Sequence, residues 1–128
     1  MKKLLAPTNA ELDILHVLWD RGAATVREVH EQLSQTKTAR YTTTLKQMQV
    51  MTDKGLVKRD DSERSHVYQA AITREHVQRQ TARHILHRVF QGSSKALLME
   101  ALGVKPASTK ELAELKQLLD DHEKGRKR

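Results

Sequence analysis

The chain has 128 residues, 38% of them apolar, with one Trp, two Tyr, one Phe, no cysteine and a formal net charge of +7. That length allows one domain, or a small domain with an appendage, and the missing cysteines exclude disulfides and thiolate metal sites. No run approaches the ~18 apolar residues of a membrane span, and "MKKLLAPTNAE" lacks the apolar run of a signal peptide, so a cytoplasmic location with no membrane partner is expected.

A core built mainly from Leu, Val, Ile and Ala is thin, which favours helices and makes dimerisation a way to bury more surface. Thr8-Asn9-Ala10-Glu11 is a capping box, with a hydroxyl for one orphan N–H and a glutamate three residues on that reaches back. It predicts a helix to about Asp20 with Leu12, Leu15, Leu18 and Trp19 on one stripe, stopped at Arg21-Gly22. Thr25-Val26-Arg27-Glu28 is a second box, opening a helix to about Leu33 that buries Val26, Val29 and Leu33. A third helix follows from about Arg40 to Lys54. Tyr41, Leu45, Met48 and Met51 form its apolar stripe, with Thr44 on the same side. Thr42, Thr43, Lys46, Gln49 and Val50 fall opposite, and Arg40 and Gln47 lie near the edges. Gly55 ends this helix as its C′ residue. "LVKR" and "HVYQA", joined by the charged "DDSER", read as a β-hairpin.

Thr73 caps a fourth helix, "REHVQRQTARHILHRVF". After a turn at Gly92-Ser93 comes a short helix, "SKALLMEAL", then a break from Gly103 to Pro106. Ser108-Thr109-Lys110-Glu111 is a third box, starting a last helix to about Glu123. "KGRKR" is read as a solvated, disordered basic tail. The fold class is therefore mainly α: an N-terminal winged helix of three helices plus a β-hairpin over residues 1–72, then a C-terminal helical dimerisation region over 73–128. About 55 residues in three helices make a poor independent core. Ile85, Leu86, Val89, Phe90, Leu97, Leu98, Leu102, Leu112, Leu115 and Leu119 exceed what one copy buries well, so they are the expected dimer interface.

The charge distribution narrows the function. No acidic residue lies between Glu31 and Asp53, whereas Lys37, Arg40 and Lys46 do. In a helix-turn-helix the last helix enters the major groove, and its side chains meet base edges and phosphates. Such a helix needs one apolar face, a polar face without carboxylates, and short side chains that let the backbone approach. "RYTTTLKQ" supplies all three. Thr hydroxyls bond phosphate or base edges, Gln pairs with adenine, and Lys or Arg pairs with guanine or phosphate. The candidate DNA-contacting residues are Arg40, Tyr41, Thr42, Thr43, Lys46, Gln47 and Gln49, with Arg59 and Arg64 from the hairpin as a wing on the phosphate backbone.

Competing chemistries are weaker. His84 and His87 form an i, i+3 pair with His76 upstream, but no carboxylate or thiol completes a ligand set. "HEQLS" misses the H-E-x-x-H zinc pattern because Ser34 stands where the second ligand belongs. No phosphate-binding glycine loop and no Ser, His and acid arrangement occur. Neither cofactor nor enzyme activity is expected. A winged-helix module that docks on a protein is the main alternative. A small metal-dependent enzyme using His76, His84 and His87 is an alternative from another class.

"PTNAELDILHVLWDRGAATVREVHEQL", "ARYTTTLKQMQVMTDKGLVKR", "SHVYQAAITRE" and "RVFQGSSKALL" together resemble the penicillinase-repressor (BlaI/MecI) family of bacterial transcriptional repressors. The resemblance covers nearly the whole chain. It implies a winged helix followed by dimerisation helices, a double-stranded DNA operator as partner, and Thr42, Thr43, Lys46 and Gln49 facing that operator. Three departures qualify it. Many members carry arginine where this chain has Val50. The copper-responsive branch holds metal through a C-terminal cysteine cluster, which this chain lacks. The β-lactam branch is inactivated by a regulatory protease that cuts an Asn-Phe bond in the short dimerisation helix. The matching bond here is Glu100-Ala101, so neither that protease as a partner nor a β-lactamase target gene follows from the resemblance.

Overall fold

A computed structural model describes residues 6–62 and 64–126. The element order is α1 (Asn9–Arg21), α2 (Val26–Leu33), α3 (Tyr41–Lys54), β1 (Val57–Asp60), β2 (Val67–Ala70), α4 (Arg74–Arg88), α5 (Ser94–Val104) and α6 (Thr109–Arg126). Three helices followed by an antiparallel hairpin make the first half a winged helix, as expected from the sequence. The chain divides into two compact units, one ending at Ala82 and one starting at Arg83. The division falls inside α4, whose first half packs on the first unit through buried Val77 and through Arg74, which pairs with Asp20 of α1.

Local signals fix the first unit's helices. Both predicted boxes form. Thr8 and Thr25 accept from the N–H groups of Glu11 and Glu28 at 3.2 Å, and each glutamate accepts from its threonine's N–H at 2.9 Å. At the end of α3, Gly55 takes the left-handed conformation at φ 83°. Its N–H bonds Thr52 O at 3.1 Å, and the Leu56 N–H bonds Met51 O at 2.9 Å. This pairing closes the helix and drives Leu56 inward.

The core joins Ile14, Leu15, Val17 and Leu18 of α1, Val26 and Val29 of α2, Met48 and Met51 of α3, and Leu56, Val57 and Tyr68 around the hairpin. Ile14 and Val17 replace Leu12 and Trp19, which are only half-buried and lie at the edge of the predicted stripe. Leu33 is likewise half-buried. The hairpin pairs Val57 with Ala70 through Asp60 with Val67. It gains a third partner the sequence did not announce. Ala24, in the turn after α1, exchanges backbone bonds of 2.9 and 2.8 Å with Tyr68. That bridge stitches the wing to the helices and explains why Tyr68 is buried.

Trp19 serves the exit from the wing. Its indole N–H donates to Ile72 O at 2.9 Å, and the Arg74 guanidinium lies over its ring while pairing with Asp20.

The second unit has a different character. Ser93 and Ser108 accept from the N–H groups of Ala96 and Glu111, capping α5 and α6. α4 stops at Arg88 rather than Phe90, and the turn that follows places Gln91 and Gly92 at φ 49° and 84°. α5 continues through Gly103 to Val104, past the expected break. It stops where Lys105 precedes Pro106, because a residue before proline is pushed into extended backbone. α6 runs on to Arg126, so Lys124, Gly125 and Arg126 are helical rather than part of a disordered tail, and Lys124 pairs with Asp120 one turn back. Lys127 and Arg128 lie outside the described residues. Neither α5 nor α6 has a fully buried residue. Among the described residues, no helix is long and apolar enough to cross a membrane.

Because Met48 is wholly enclosed among α1, α2 and the hairpin, Met48→Ala should destabilise the first unit by about 2–5 kcal/mol. Urea unfolding followed by far-UV circular dichroism measures it, as a lower midpoint at unchanged slope.

Candidate nucleic-acid interface

α3 is divided lengthwise. Thr44, Met48 and Met51 are buried, with Leu45 half-buried beside them. Thr42, Thr43, Lys46, Gln49 and Val50 are exposed on the other side, as their spacing predicted. An open groove runs along that outer side. It is lined by Thr42, Thr43, Lys46, Gln47, Val50 and Lys54 of α3, and by Thr8 and Glu11 at the start of α1.

The structure therefore brings together Thr42, Thr43, Lys46 and half-buried Gln47. Gln49 is exposed on the far shoulder of α3, outside the groove lining. Arg40 is the N-cap of α3, has no capping side-chain bond, and leads into a first turn without an acidic residue. Tyr41 departs from the expected apolar stripe. It is 36% exposed, and its ring meets His30 edge-on while Arg27 lies over it at 5.1 Å.

Not every cation in the acid-free window is free. Lys37 pairs with Asp13 of α1. Among the described residues, Arg40 and Lys46 have no ion-pair partner.

On the wing, Asp61 organises the turn. Its Oδ1 lies 2.7 Å from both Arg59 Nε and His66 Nδ1. The Asp61 carboxylate, with a smaller contribution from Tyr68, holds the Arg59 guanidinium above its usual range. Arg59 thus has its charge met within the protein. Lys58 and Arg64 are exposed, without an ion-pair partner among the described residues. Asp60 is held below the usual carboxylate range by the Ser62 N–H.

One part of the groove had no sequence signal beyond a capping box. Glu11 is 1% exposed and bonds Lys54 Nζ at 2.8 Å as well as the Thr8 N–H. Burial opposes its ionisation, but the bonds from Lys54 and Thr8 outweigh burial and hold its carboxyl below the usual range. The contact ties the start of α1 to the last turn of α3. Lys54 was within reach of sequence reasoning, since it continues the Lys46, Val50 row by four residues. The burial of Glu11 was not, because it depends on where α3 ends in space.

A family model described as penicillinase repressor matches residues 7–121. The chain belongs to the penicillinase repressor family. It is 26% identical to the penicillinase repressor of Bacillus licheniformis over 127 residues, covering 99% of each chain. It is 24% identical to that of Staphylococcus aureus over 112 residues, covering 88% of this chain and 89% of the relative. A solution structure of the DNA-binding domain of the repressor BlaI superimposes with a TM-score of 0.51 at 28% identity, over 58% of this chain and 90% of that one. A repressor family is not an enzyme class. Among the described residues of this family member, no group of three or more His, Asp or Glu side chains is placed to hold a metal ion.

The Glu11 contact gives a pH dependence of defined sign. A carboxyl whose folded-state pKa is depressed stabilises the fold fully above the unfolded value, about 4.3 for glutamate. That stabilisation is lost as pH falls through the lower folded-state value. Urea midpoints measured from pH 6 to pH 3 should therefore fall more steeply for the wild type than for Glu11→Gln, which keeps the cap but has no charge to lose.

Proposed function

We propose that this protein is a homodimeric transcriptional repressor that occupies a pseudo-palindromic operator in double-stranded DNA. The outer face of α3 carries the reading. It is a groove wall of Thr42, Thr43, Lys46 and Gln47 with an unpaired cation and no carboxylate in its first three turns. α3 enters one major groove, where the threonine hydroxyls and Lys46 meet base edges and phosphates. Gln49 reads from the far shoulder, Arg40 and Tyr41 lie where the helix begins, and Val50 adds an apolar contact. Arg64 and Lys58 lie along the backbone beside the groove, with Arg59 a weaker contact because Asp61 neutralises it.

The family match and the likeness to the BlaI DNA-binding domain support the same assignment. Residues 1–72 would supply the DNA-binding domain and 73–128 the dimerisation region. The exposure of the second unit's apolar residues supports the dimer. Val89 is 67% exposed, and Leu98, Leu112 and Leu119 are also exposed within a single chain. Half-buried Ile85, Leu86, Phe90, Leu97, Leu102 and Leu115 continue that surface. Two protomers would present two α3 helices to half-sites about 34–36 Å apart, or a multiple of that spacing. Glu100-Ala101, the bond that matches the family's cleavage site, lies within regular α5.

Selection from a random duplex pool tests the reading, because a repressor of this kind enriches a palindromic sequence. A protein that neither enriches a sequence nor shifts random duplex at low salt is the protein-interaction module instead. On an enriched duplex, Lys46→Ala should weaken binding by about 1–3 kcal/mol if Lys46 bonds a base edge. Anisotropy titration at matched salt measures this, and an unchanged Kd removes Lys46 from the interface. Leu98→Asp should yield monomers, since dimerisation would bury its carboxylate among leucines. Sedimentation velocity of an intact dimer would relocate the interface.

A further inference from the structure

His30 has no place in the operator reading above, yet it makes the most specific side-chain contacts between α2 and α3. Its Nδ1 lies 3.0 Å from Thr44 Oγ1, and its Nε2 lies 3.4 Å from Ser34 Oγ one turn along α2. Its ring also meets Tyr41 edge-on, with centroids 5.6 Å apart and planes at 79°. Thr44 is 3% exposed. Its hydroxyl has left water, so the imidazole is what keeps it from being a buried unpaired group. The near-zinc pattern "HEQLS" is thus explained without metal: residues 30 and 34 are one turn apart so that both nitrogens of one imidazole meet a hydroxyl.

Thr44 and Tyr41 are three residues apart on α3, and both meet the same ring. Two contacts to one rigid group, at different angles around the helix, fix how far the first turn is rotated and how far it slides along α2. The residues between and beside them are Thr42 and Thr43. Recognition geometry is lost with displacements of about 0.5 Å or rotations of 10–20°. Phosphate contacts tolerate far more, because they are made by long cationic side chains.

We propose that His30 is a positioning residue for operator discrimination. By holding Thr44 and Tyr41 it sets the rotation of α3, and so decides whether Thr42, Thr43 and Lys46 meet base edges, without itself touching DNA. This rests on the DNA reading of α3.

The test is a ratio of affinities. Kd is measured for a duplex enriched from a random pool and for a scrambled duplex of equal length, at one salt concentration. His30→Ala should weaken the enriched duplex by about tenfold or more, the scale of one lost base contact, and leave the scrambled duplex within about twofold. His30→Asn, which still offers Thr44 a hydrogen-bonding partner, should recover most of the ratio.

Thr44→Val keeps the side chain's shape and removes the hydroxyl, so it covers the case in which His30→Ala does not fold, and it should lower the ratio likewise. A folded Thr44→Val with an unchanged ratio, or a His30→Ala that loses affinity equally on both duplexes, overturns the proposal and leaves His30 a packing residue. A wild type that enriches no sequence and fails to bind duplex removes the DNA reading as a whole. A wild type that enriches a site but shows either overturning result removes only this inference.

Discussion

α3 must keep one face in water and bury the other in a core with few large side chains, and two buried polar groups make that division hold. Glu11 and Thr44 are the polar residues buried among the described residues. Each is enclosed against a different end of α3. At its last turn, Lys54 reaches back to Glu11 of α1. In its first turns, Thr44 is met by His30 of α2. Apolar contacts between α3 and the other helices are not directional, and Met48 and Met51 adapt to several helix rotations. A hydrogen bond to a group that has left water is directional, and breaking it costs more than making it gains. The methionines hold α3 down, and the polar pair defines its rotation.

The two units obtain their order from different sources. The first has a closed interior, directional bonds at both ends of α3, and a backbone bridge from Ala24 to Tyr68 that anchors the wing. The second has well-capped helices but nothing fully buried in α5 or α6. Capping and i, i+4 pairs define where a helix starts and stops, and contribute little to holding helices against one another. The order of this unit within one chain is therefore local. A second copy is what the proposed function adds, converting exposed leucines into an interior.

Much of the first unit was legible because its signals are local. Capping boxes at Thr8 and Thr25, the Gly55 stop and the hairpin between Leu56 and Ala71 can each be read within a few residues. The phase of α3 was legible too, since 3.6-residue periodicity alone separates Thr44 from Thr42 and Thr43. Periodicity misplaced Tyr41, which shares the angle of the buried stripe but lies in the first turn, where it meets α2 side chains rather than the core. It could not show that Lys37 is paired, because Asp13 reaches it only through the tertiary fold, whereas Asp61 lies two residues from Arg59 in the charged turn itself. The ends of α4, α5 and α6 shifted by two or three residues. α5 runs past Gly103 to the residue before Pro106, and α6 runs into the basic tail, where Lys124 pairs with Asp120.

The distribution of unpaired charge argues that the proposed dimer is a condition of repression and not an accessory to it. Arg40, Lys46, Lys58 and Arg64 are the cations of α3, its N-cap and the wing without an ion-pair partner among the described residues. If each neutralises one phosphate, a lone winged helix has a salt slope of roughly −3.6, taking −0.9 per contact. Contacts that few give only weak electrostatic attraction at physiological salt. Two protomers on one duplex double the phosphate contacts, and the second α3 binds at the high effective concentration set by the first. They also double the base contacts, so discrimination rises with affinity. Asp61 neutralises Arg59 and engages His66, so Lys58 and Arg64 are the wing cations left without an ion-pair partner among the described residues.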